Sequence, residues 1–343
     1  MQRMMPALPS SYVLKVARPA LAIALICLVT GSVGAAEPTF QWADDADHSV
    51  CDLKLGEQPV VRYMYAYDPS TDMTLHDTYK VYHHVFGPGT DQRITKGPGG
   101  EFTHHRGLFV AWNKTGYEGK SDDFWHCTKG AHQKHIRFID RTADANGGTM
   151  TSEIHWNDAA GKPVIVEFRT VAVSKLGGEE QSPAGFGWKI DWSSRLESRR
   201  GTITLDGDRQ HAGFQFRADQ PVAEAKSGRY IRPAGFPEQP EAVQVDDRTD
   251  PTGHVNLNWF ALTYPLGAER YTVQYCEDPS LPKPSRYSER PYGRFGAFFQ
   301  TTLETDKPLT LRYRVNVSRG ASPARQMLQK RYDEFVEHLK SGK

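Results

Sequence analysis

The residues from Leu108 to Trp112 constrain the fold more than any other stretch of the sequence. All five are apolar, in the order Leu, Phe, Val, Ala and Trp. On a β-strand, successive side chains point to opposite faces, so both faces of this strand need cover from other parts of the chain. The pattern therefore predicts a central strand of a layered β-structure and not a strand at the edge of a sheet.

Strand patterns also dominate the rest of the chain. The cleanest runs from Leu309 to Ser318, where Leu, Leu, Tyr, Val and Val alternate with polar residues, as in a strand with one buried face. We find no run in which strands alternate with helices, so a parallel α/β sheet is disfavoured. The prediction is an all-β fold, a large antiparallel β-sandwich of about a dozen or more strands with a site on its concave face.

One convincing helix is predicted at the C-terminus. Ser322 is suited to cap it and Pro323 fits its first turn. An apolar stripe follows, made of Leu328, Tyr332, Phe335 or Val336, and Leu339. This spacing predicts a helix packed on a sheet. The Pro- and Asp-rich passage 234–253 is expected to form a long loop over one face.

The first 36 residues are typical of a secretory signal peptide, with cleavage near Ala36. Basic residues precede an apolar run at 21–30, and small residues follow at 34–36. The apolar run is too short to span a bilayer, and no later stretch is apolar enough to do so. We therefore expect a secreted or periplasmic protein whose residues 37–343 form a single β-sandwich domain.

Charge and cysteine content argue against several classes of protein. Lys and Arg number 42 against 41 for Asp and Glu, so nothing favours nucleic acid or an anionic membrane as a partner. Outside the predicted signal peptide the cysteines are Cys51, Cys127 and Cys276. These three allow at most one disulfide and leave at least one thiol free or paired outside the chain, so this is not a disulfide scaffold.

A group of polar residues opens the predicted central strand. His104, His105 and Arg106 precede it closely, and Glu101 lies three residues before His104. Two imidazoles, a guanidinium and a carboxylate are costly to bury together unless they are paired or used. A polar segment that leads into a buried strand is a place where a β-scaffold can present side chains to a pocket. We therefore predict a functional site here.

Several segments of the chain together resemble a known family. They are HHRGLFVAW at 104–112, FWH at 124–126, GFQFR at 213–217, WFALTY at 259–264, RPYGRFGAFF at 290–299 and LRYRVNVSRG at 311–320. The family is the secreted domain of unknown function 6807, also called PmoA-like or "methane oxygenase PmoA". Members often carry an Asp and a further His or Pro before the His pair, whereas this chain has Glu101, Phe102 and Thr103 there. The resemblance implies a β-sandwich, which we expect to be supersandwich-like, and little agreed biochemistry.

Acid–base chemistry on a carbohydrate is the function that these residues favour. Histidine titrates near neutral pH and can give or take a proton, and arginine forks suit carboxylates or vicinal hydroxyls. The predicted catalytic residues are His104, His105, Arg106 and His126. The predicted substrate-binding residues are His83, Glu101, Trp125, Arg217, Tyr292 and Arg294. By analogy with β-sandwiches that act on sugars, we expect a lyase, hydrolase or epimerase with a saccharide or other small-molecule substrate.

Two alternatives stay open at this stage. The same pocket could belong to a saccharide-binding protein without catalysis, in which the histidines only donate hydrogen bonds. A metal enzyme is the other alternative: no cofactor is predicted outright, but the imidazoles of His83, His84, His104, His105 and His126 are enough to hold copper or zinc. Because neighbours on a strand point to opposite faces, each pair is expected to supply one ligand unless the backbone turns there, with His126 as a third.

Overall fold

β-strands make up most of the molecule. The computed structural model describes residues 37–180, 182–183, 185–208, 210–236, 255–290 and 292–342. In chain order the elements are β1 (Phe40–Asp45), β2 (Val50–Leu55), β3 (Gln58–Met64), α1 (Asp72–Thr78), β4 (Tyr82–Val85), β5 (Leu108–Trp112), β6 (Lys114–Tyr117), β7 (Lys120–Asp122), β8 (His132–Ala143), β9 (Gly147–Asn157), β10 (Pro163–Leu176), β11 (Gly187–Ser198), β12 (Ile203–Asp206), β13 (Ala212–Arg217), α2 (Gln220–Ala225), β14 (Arg229–Ile231), β15 (Trp259–Leu266), β16 (Glu269–Glu277), β17 (Arg286–Glu289), β18 (Arg294–Phe298), β19 (Thr301–Leu303), β20 (Leu309–Arg319) and α3 (Arg325–Ser341). The predicted signal peptide and residues 237–253 of the predicted long loop lie outside the described residues.

The strands form three antiparallel sheets within the described ranges. One has the order β1-β2-β3-β4-β5-β13-β18-β17, the second β14-β15-β16-β20-β11-β10-β9-β8, and the third, smaller sheet β19-β12-β6-β7. β5 lies inside the first sheet, between β4 and β13, and all five of its residues are buried. The apolar run at Leu108–Trp112 is therefore the central strand that the sequence predicts.

The two large sheets pack face to face through aromatic side chains. The ring of Phe214 on β13 lies 4.7 Å from that of Tyr313 on β20 and 4.7 Å from that of Trp192 on β11. All three side chains are buried, and aromatic pairs of this kind contribute large apolar area together with specific ring geometry. The predicted antiparallel β-sandwich is confirmed.

The C-terminal helix α3 is present, although it begins later than predicted. Its first residue is Arg325, and the preceding Ala324 gives no side-chain cap. The Ser322 hydroxyl instead lies 3.3 Å from the Thr272 hydroxyl on β16, so it does not cap the helix. The predicted stripe is confirmed, because Leu328 and Phe335 are buried with Trp259, Ala261, Cys276 and Tyr332.

Two shorter helices, α1 and α2, were not expected from the sequence. α1 has no buried residue, so it lacks the apolar stripe by which a helix is recognised, and it is fixed instead by a capping box between Thr71 and Thr74. Cys51, Cys127 and Cys276 are all free thiols. None of the described helices combines the length and the apolar composition that crossing a bilayer requires.

Candidate functional site

The segment that leads into β5 is a tight turn. The backbone N–H of His105 donates to the Phe102 carbonyl at 3.0 Å, and Phe102 and Gly107 both have positive φ, 53° and 30°. A Cβ atom at Gly107 would lie 2.0 Å from the His83 carbonyl oxygen, so only glycine fits this position. As the backbone turns here, the rings of His104 and His105 stay only 4.1 Å apart instead of pointing to opposite faces of a sheet.

Three imidazoles from separate parts of the chain meet at this turn. His126 lies in the turn after β7, and His211 lies directly before β13. The ring of His126 is 4.4 Å from that of His104 and 4.8 Å from that of His211. One nitrogen from each of the three residues lies within 4.8 Å of the others. We call His104, His126 and His211 the three-histidine cluster.

Two members of the cluster are held by carboxylates. His126 Nδ1 lies 2.8 Å from Asp123 Oδ2, and His211 Nδ1 lies 2.8 Å from Asp208. An ionised carboxylate can only accept a hydrogen bond, so Nδ1 carries the proton and donates to it, and Nε2 keeps its lone pair. In His104 the buried Nε2 has no hydrogen-bond partner among the described residues. The cluster therefore offers two oriented lone pairs and one unsatisfied ring nitrogen.

Burial favours the neutral imidazole in two members of the cluster, His104 and His211. Burial, followed by the charge of His126, lowers the pKa of His104 to about 2. Burial also lowers the pKa of His211, and the hydrogen bond to Asp208 offsets only part of this effect. A general acid or base works best with a pKa near the operating pH, whereas a metal ligand needs a neutral imidazole. His104 fits the second requirement better than the first.

His105 and Trp125 form the wall behind the cluster. Both are buried. The His105 ring is nearly parallel to that of His211 at 5.7 Å, and the Trp125 ring stands edge-on to both, at 6.0 and 5.5 Å. The two ring nitrogens of His105 and the indole nitrogen of Trp125 have no hydrogen-bond partner among the described residues. Three further polar atoms are thus buried at this place without being satisfied.

Lys80, which sequence reasoning missed, connects two of the loops that build the site. Its buried ammonium donates to the carbonyl of His104 at 3.1 Å and to the carbonyl of Trp125. Burial lowers the pKa of Lys80 to about 7. Because the Lys80 side chain bonds the backbone carbonyls of both residues, it fixes the distance between the two loops that carry them.

Arg106 points away from the three-histidine cluster, toward α1. Its guanidinium donates to the carbonyls of Thr103 at 3.2 Å, of Asp77 at 2.9 Å and of His76. It also lies 4.2 Å above the Tyr79 ring. Two of these hydrogen bonds join the end of α1 to the turn before β5, and the bond to Thr103 lies within that turn.

Two other predicted residues lie apart from the cluster. His83, on β4, is buried between the rings of Tyr63 at 4.6 Å and Trp192 at 5.1 Å, inside the sandwich. Glu101 is exposed, and its backbone N–H donates to the side chain of Gln220 at 3.3 Å. The third imidazole of the cluster is thus His211 and not a residue of the His83–His84 pair.

The predicted arginines lie on neighbouring strands beside the cluster. Arg217 ends β13 and pairs in register with Arg294 at the start of β18. Arg217 lies 4.8 Å above the Tyr292 ring, and Arg294 donates to the Ser288 hydroxyl at 3.0 Å. Burial lowers the pKa of Arg217 to about 10. Phe102, which is 40% exposed, packs on Tyr292 at 4.5 Å and gives the site an aromatic edge open to solvent.

A spacing in the sequence could have revealed the residues that were missed. Asp123 and His126 are three residues apart, as are Asp208 and His211. A carboxylate three residues before a histidine can orient the ring within a single turn, and outer-shell carboxylates of this kind accompany metal-binding histidines. The Asp-x-x-His spacing marks both loops, although the exposed pair Asp45 and His48 shares it.

The comparison with protein families decides what the chain is similar to. A family model described as "Family of unknown function (DUF6807)" matches residues 51–332. The chain belongs to this family. The predicted resemblance to domain of unknown function 6807 is thereby confirmed, whereas the PmoA-like label is not part of this match. The matched range contains the whole three-histidine cluster, but the family description assigns no activity.

Other comparisons add little to the family assignment. A solved structure described as "Putative kojibiose phosphorylase from human microbiome" aligns with 11% identity and a TM-score of 0.34, over 89% of this chain and 33% of its own. The chain thus spans a third of that protein's length, and a likeness this low carries no argument about either fold or activity. No curated protein matches the sequence.

Proposed function

We propose that this protein is an exported carbohydrate-active enzyme that binds a divalent transition-metal ion through His104, His126 and His211. The observation that carries the proposal is the convergence of one nitrogen from each histidine to within 4.8 Å. Three imidazoles with further positions left open are a common ligand set of catalytic metal sites. Acid–base catalysis by free histidines, the function favoured by the sequence, has weaker support because the pKa of His104, about 2, lies far from the operating pH that a general acid or base requires.

The donor set and its surroundings fit such an ion. Zinc–imidazole bonds of about 2.0–2.1 Å place the nitrogens of a tetrahedral site ~3.4 Å apart, so small side-chain rotations would close the cluster around the metal. Imidazole nitrogens without thiolates suit zinc, copper, nickel or ferrous iron. Asp123 and Asp208 stand in the outer shell, where carboxylates fix the ring orientation and raise the basicity of the ligand.

The remaining residues define how a substrate would be bound. A bound divalent ion supplies a water with a pKa near neutrality and an electrophile for a sugar oxygen. Phe102 and Tyr292 provide an aromatic edge beside the histidines for one face of a sugar ring. Lys80 holds the loops of His104 and Trp125 at a fixed distance. Together these features support a lyase, hydrolase or epimerase acting on a saccharide.

Metal analysis tests the proposal directly. The protein, purified without a histidine tag, is loaded with Zn²⁺, Cu²⁺, Ni²⁺ or Fe²⁺, desalted and analysed for metal content. We expect close to one equivalent for the wild type and a loss of bound metal in His104→Ala, His126→Ala and His211→Ala. His48→Ala is the matched control, because His48 is an exposed histidine with its own aspartate, Asp45, at 2.7 Å. Less than a tenth of an equivalent of every metal in the wild type would refute the metal site.

A glycan panel with mass detection of products tests the enzymatic half. Turnover that stops on chelation and returns with metal is the expected result. Saccharide binding without any turnover by the metal-loaded protein would instead favour a non-catalytic binding protein.

A further inference from the structure

Arg217 is a buried cation to which no carboxylate of the described residues is bonded. Its side chain is fully buried. None of its three guanidinium nitrogens has a hydrogen-bond partner among the described residues. Burial of an unpaired charge costs several kcal/mol, and folded proteins rarely tolerate it without a use for the charge. The lack of a hydrogen-bonded anion among the described residues therefore indicates that Arg217 is placed to bind an external group.

Two other buried arginines of the chain show what a structural arginine looks like here. Arg169 makes two bonds to the Glu167 carboxylate, at 2.8 and 3.0 Å, inside the sandwich. Arg106 donates to three backbone carbonyls. Both guanidinium groups are hydrogen-bonded within the protein, although Arg169 Nη1 has no partner among the described residues. Burial alone therefore does not explain why all three guanidinium nitrogens of Arg217 lack a partner.

The position of Arg217 connects it with the three-histidine cluster. Its guanidinium lies 4.8 Å above the Tyr292 ring. The same Tyr292 ring is nearly parallel to the His105 ring at 6.0 Å, and His105 in turn contacts His104 and His211. Both nitrogens of His105 are also buried without partners. A ligand group that bonds Arg217 would therefore be separated from the three-histidine cluster only by the rings of Tyr292 and His105.

The charged groups near Arg217 do not neutralise it. Arg294 is a neighbouring cation whose charge adds to burial in lowering the pKa of Arg217, and the charge of Arg217 in turn adds to burial in lowering the pKa of Lys96. Glu101 is the carboxylate whose charge acts on Arg217, but it is exposed and makes no bond to the guanidinium. An exposed carboxylate is screened by water and compensates a buried cation only weakly.

We infer that Arg217 is the receptor for an anionic group carried by the saccharide substrate, a carboxylate or a sulfate. The guanidinium fork matches two oxygens of such a group, and charge-assisted bidentate bonds are among the strongest in proteins. This inference rests on the proposed function, because it takes the ligand of the site to be a sugar. It narrows the substrate to acidic saccharides, such as those that contain uronic acids.

Paired ligands measure the preference for the anion. Calorimetry compares glucuronate with glucose, galacturonate with galactose, and glucose 6-sulfate with both glucose and free inorganic phosphate. We expect at least one acidic sugar to bind about 10- to 100-fold more tightly than its neutral partner, as a charged hydrogen-bonded pair contributes. The carboxylate and sulfate members identify which anion is preferred. Equal binding of acidic and neutral sugars, or tight binding of phosphate alone, would overturn the inference.

Substitution of the arginine separates a receptor from a structural residue. Arg217→Met should abolish the preference for acidic sugars without lowering the melting temperature, because it removes an uncompensated buried charge. Arg169→Met is the matched control and should lower the melting temperature, since it leaves the Glu167 carboxylate unpaired. Arg217→Lys keeps the charge but loses the planar guanidinium fork, so its affinity for acidic sugars should lie between that of the wild type and that of Arg217→Met. Destabilisation of Arg217→Met to the same extent as Arg169→Met would identify Arg217 as a structural residue.

The same titrations, run on metal-loaded and chelator-treated protein, keep the two proposals apart. Stoichiometric metal binding without any preference for acidic sugars refutes the anion receptor alone. A preference for acidic sugars in a protein that binds no metal refutes the metal site alone.

Discussion

The strongest test of the proposed metal centre is the removal of the charges behind its histidines. Asp123→Asn and Asp208→Asn change one oxygen to an amide nitrogen and leave the shape of each side chain nearly unaltered. Both aspartates accept a hydrogen bond from Nδ1 of a cluster histidine. Loss of the carboxylate reduces the basicity of the ring and weakens the preference for the tautomer in which Nε2 is free.

The two substitutions should differ in size because the two aspartates are bonded differently. Asp123 Oδ1 accepts the backbone N–H groups of Trp125 and His126, at 2.9 and 2.7 Å, while Oδ2 alone accepts the ring. An asparagine there keeps its oxygen on the backbone and turns its NH₂ group toward the ring, which favours the wrong tautomer. Outer-shell substitutions typically cost 10–100-fold in metal affinity, so we expect ~100-fold, or about 2.7 kcal/mol, for Asp123→Asn.

Asp208→Asn should have the smaller effect. Both of its oxygens lie 2.8 Å from His211 Nδ1, so an asparagine oxygen can still accept from the ring. Its side chain is also 49% exposed, compared with 22% for Asp123, and water can replace part of the lost interaction. We expect a loss of ~10-fold in affinity.

Zinc titration of the metal-free protein by calorimetry or by competition with a chromophoric chelator measures both effects. Asp45→Asn is a control from the same chain, since Asp45 and His48 repeat the Asp-x-x-His pair at 2.7 Å on an exposed surface. Its zinc affinity should equal that of the wild type. If Asp123→Asn and Asp208→Asn also bind zinc within twofold of the wild type, the two carboxylates do not orient metal-binding histidines, and the proposed outer shell is refuted.

Three further predictions follow from the packing around the site. Burial lowers the pKa of His83 and His105 well below the usual range and that of His84 to about 3. Below pH ~6.5 only the unfolded chain takes up protons on these imidazoles, so their contribution to the free energy of unfolding is complete above that pH and decreases as the pH falls. The loss is about 2 kcal/mol for each group between pH 7 and 5. Urea denaturation at the two pH values measures this, and equal midpoints would contradict it. Gly107→Ala places a Cβ 2.0 Å from the His83 carbonyl oxygen and should lower both the melting temperature and zinc affinity, whereas Gly119→Ala, with positive φ but nothing within 4 Å, should show only a small change in melting temperature. Arg106→Met should lower the melting temperature by freeing the end of α1, and a normal melting temperature combined with lost turnover would instead support a catalytic Arg106.

The fold was predictable where local pattern and burial agree. Leu108–Trp112 is apolar on both faces and becomes a central strand, and the alternation at Leu309–Ser318 becomes β20. The apolar stripe of α3 predicted that helix. The helices α1 and α2 are short and are stabilised mainly by capping hydrogen bonds, which produce only a weak sequence pattern.

The site was predictable only in part because its assembly is tertiary. His104 and His126 stand out through their aromatic and histidine neighbours, whereas His211 lies 85 residues beyond His126. The Asp-x-x-His spacing that His126 and His211 share also occurs at the exposed pair Asp45 and His48, so the spacing alone does not single them out. The role of Arg106 could not be assigned, because its partners lie on α1, a helix the sequence did not reveal. The predicted division of the His104–His105 pair between two faces assumed a strand where the chain makes a turn.

The turn at Gly107 and the loops of His126 and His211 are connections between strands, and the strands themselves carry none of the three imidazoles. Loops tolerate insertion and deletion far better than the sheets they join. A change in the length of one connection would therefore relocate a single imidazole and leave the sandwich as it is. This arrangement lets descendants of the same scaffold gain, lose or retune their chemistry in small evolutionary steps.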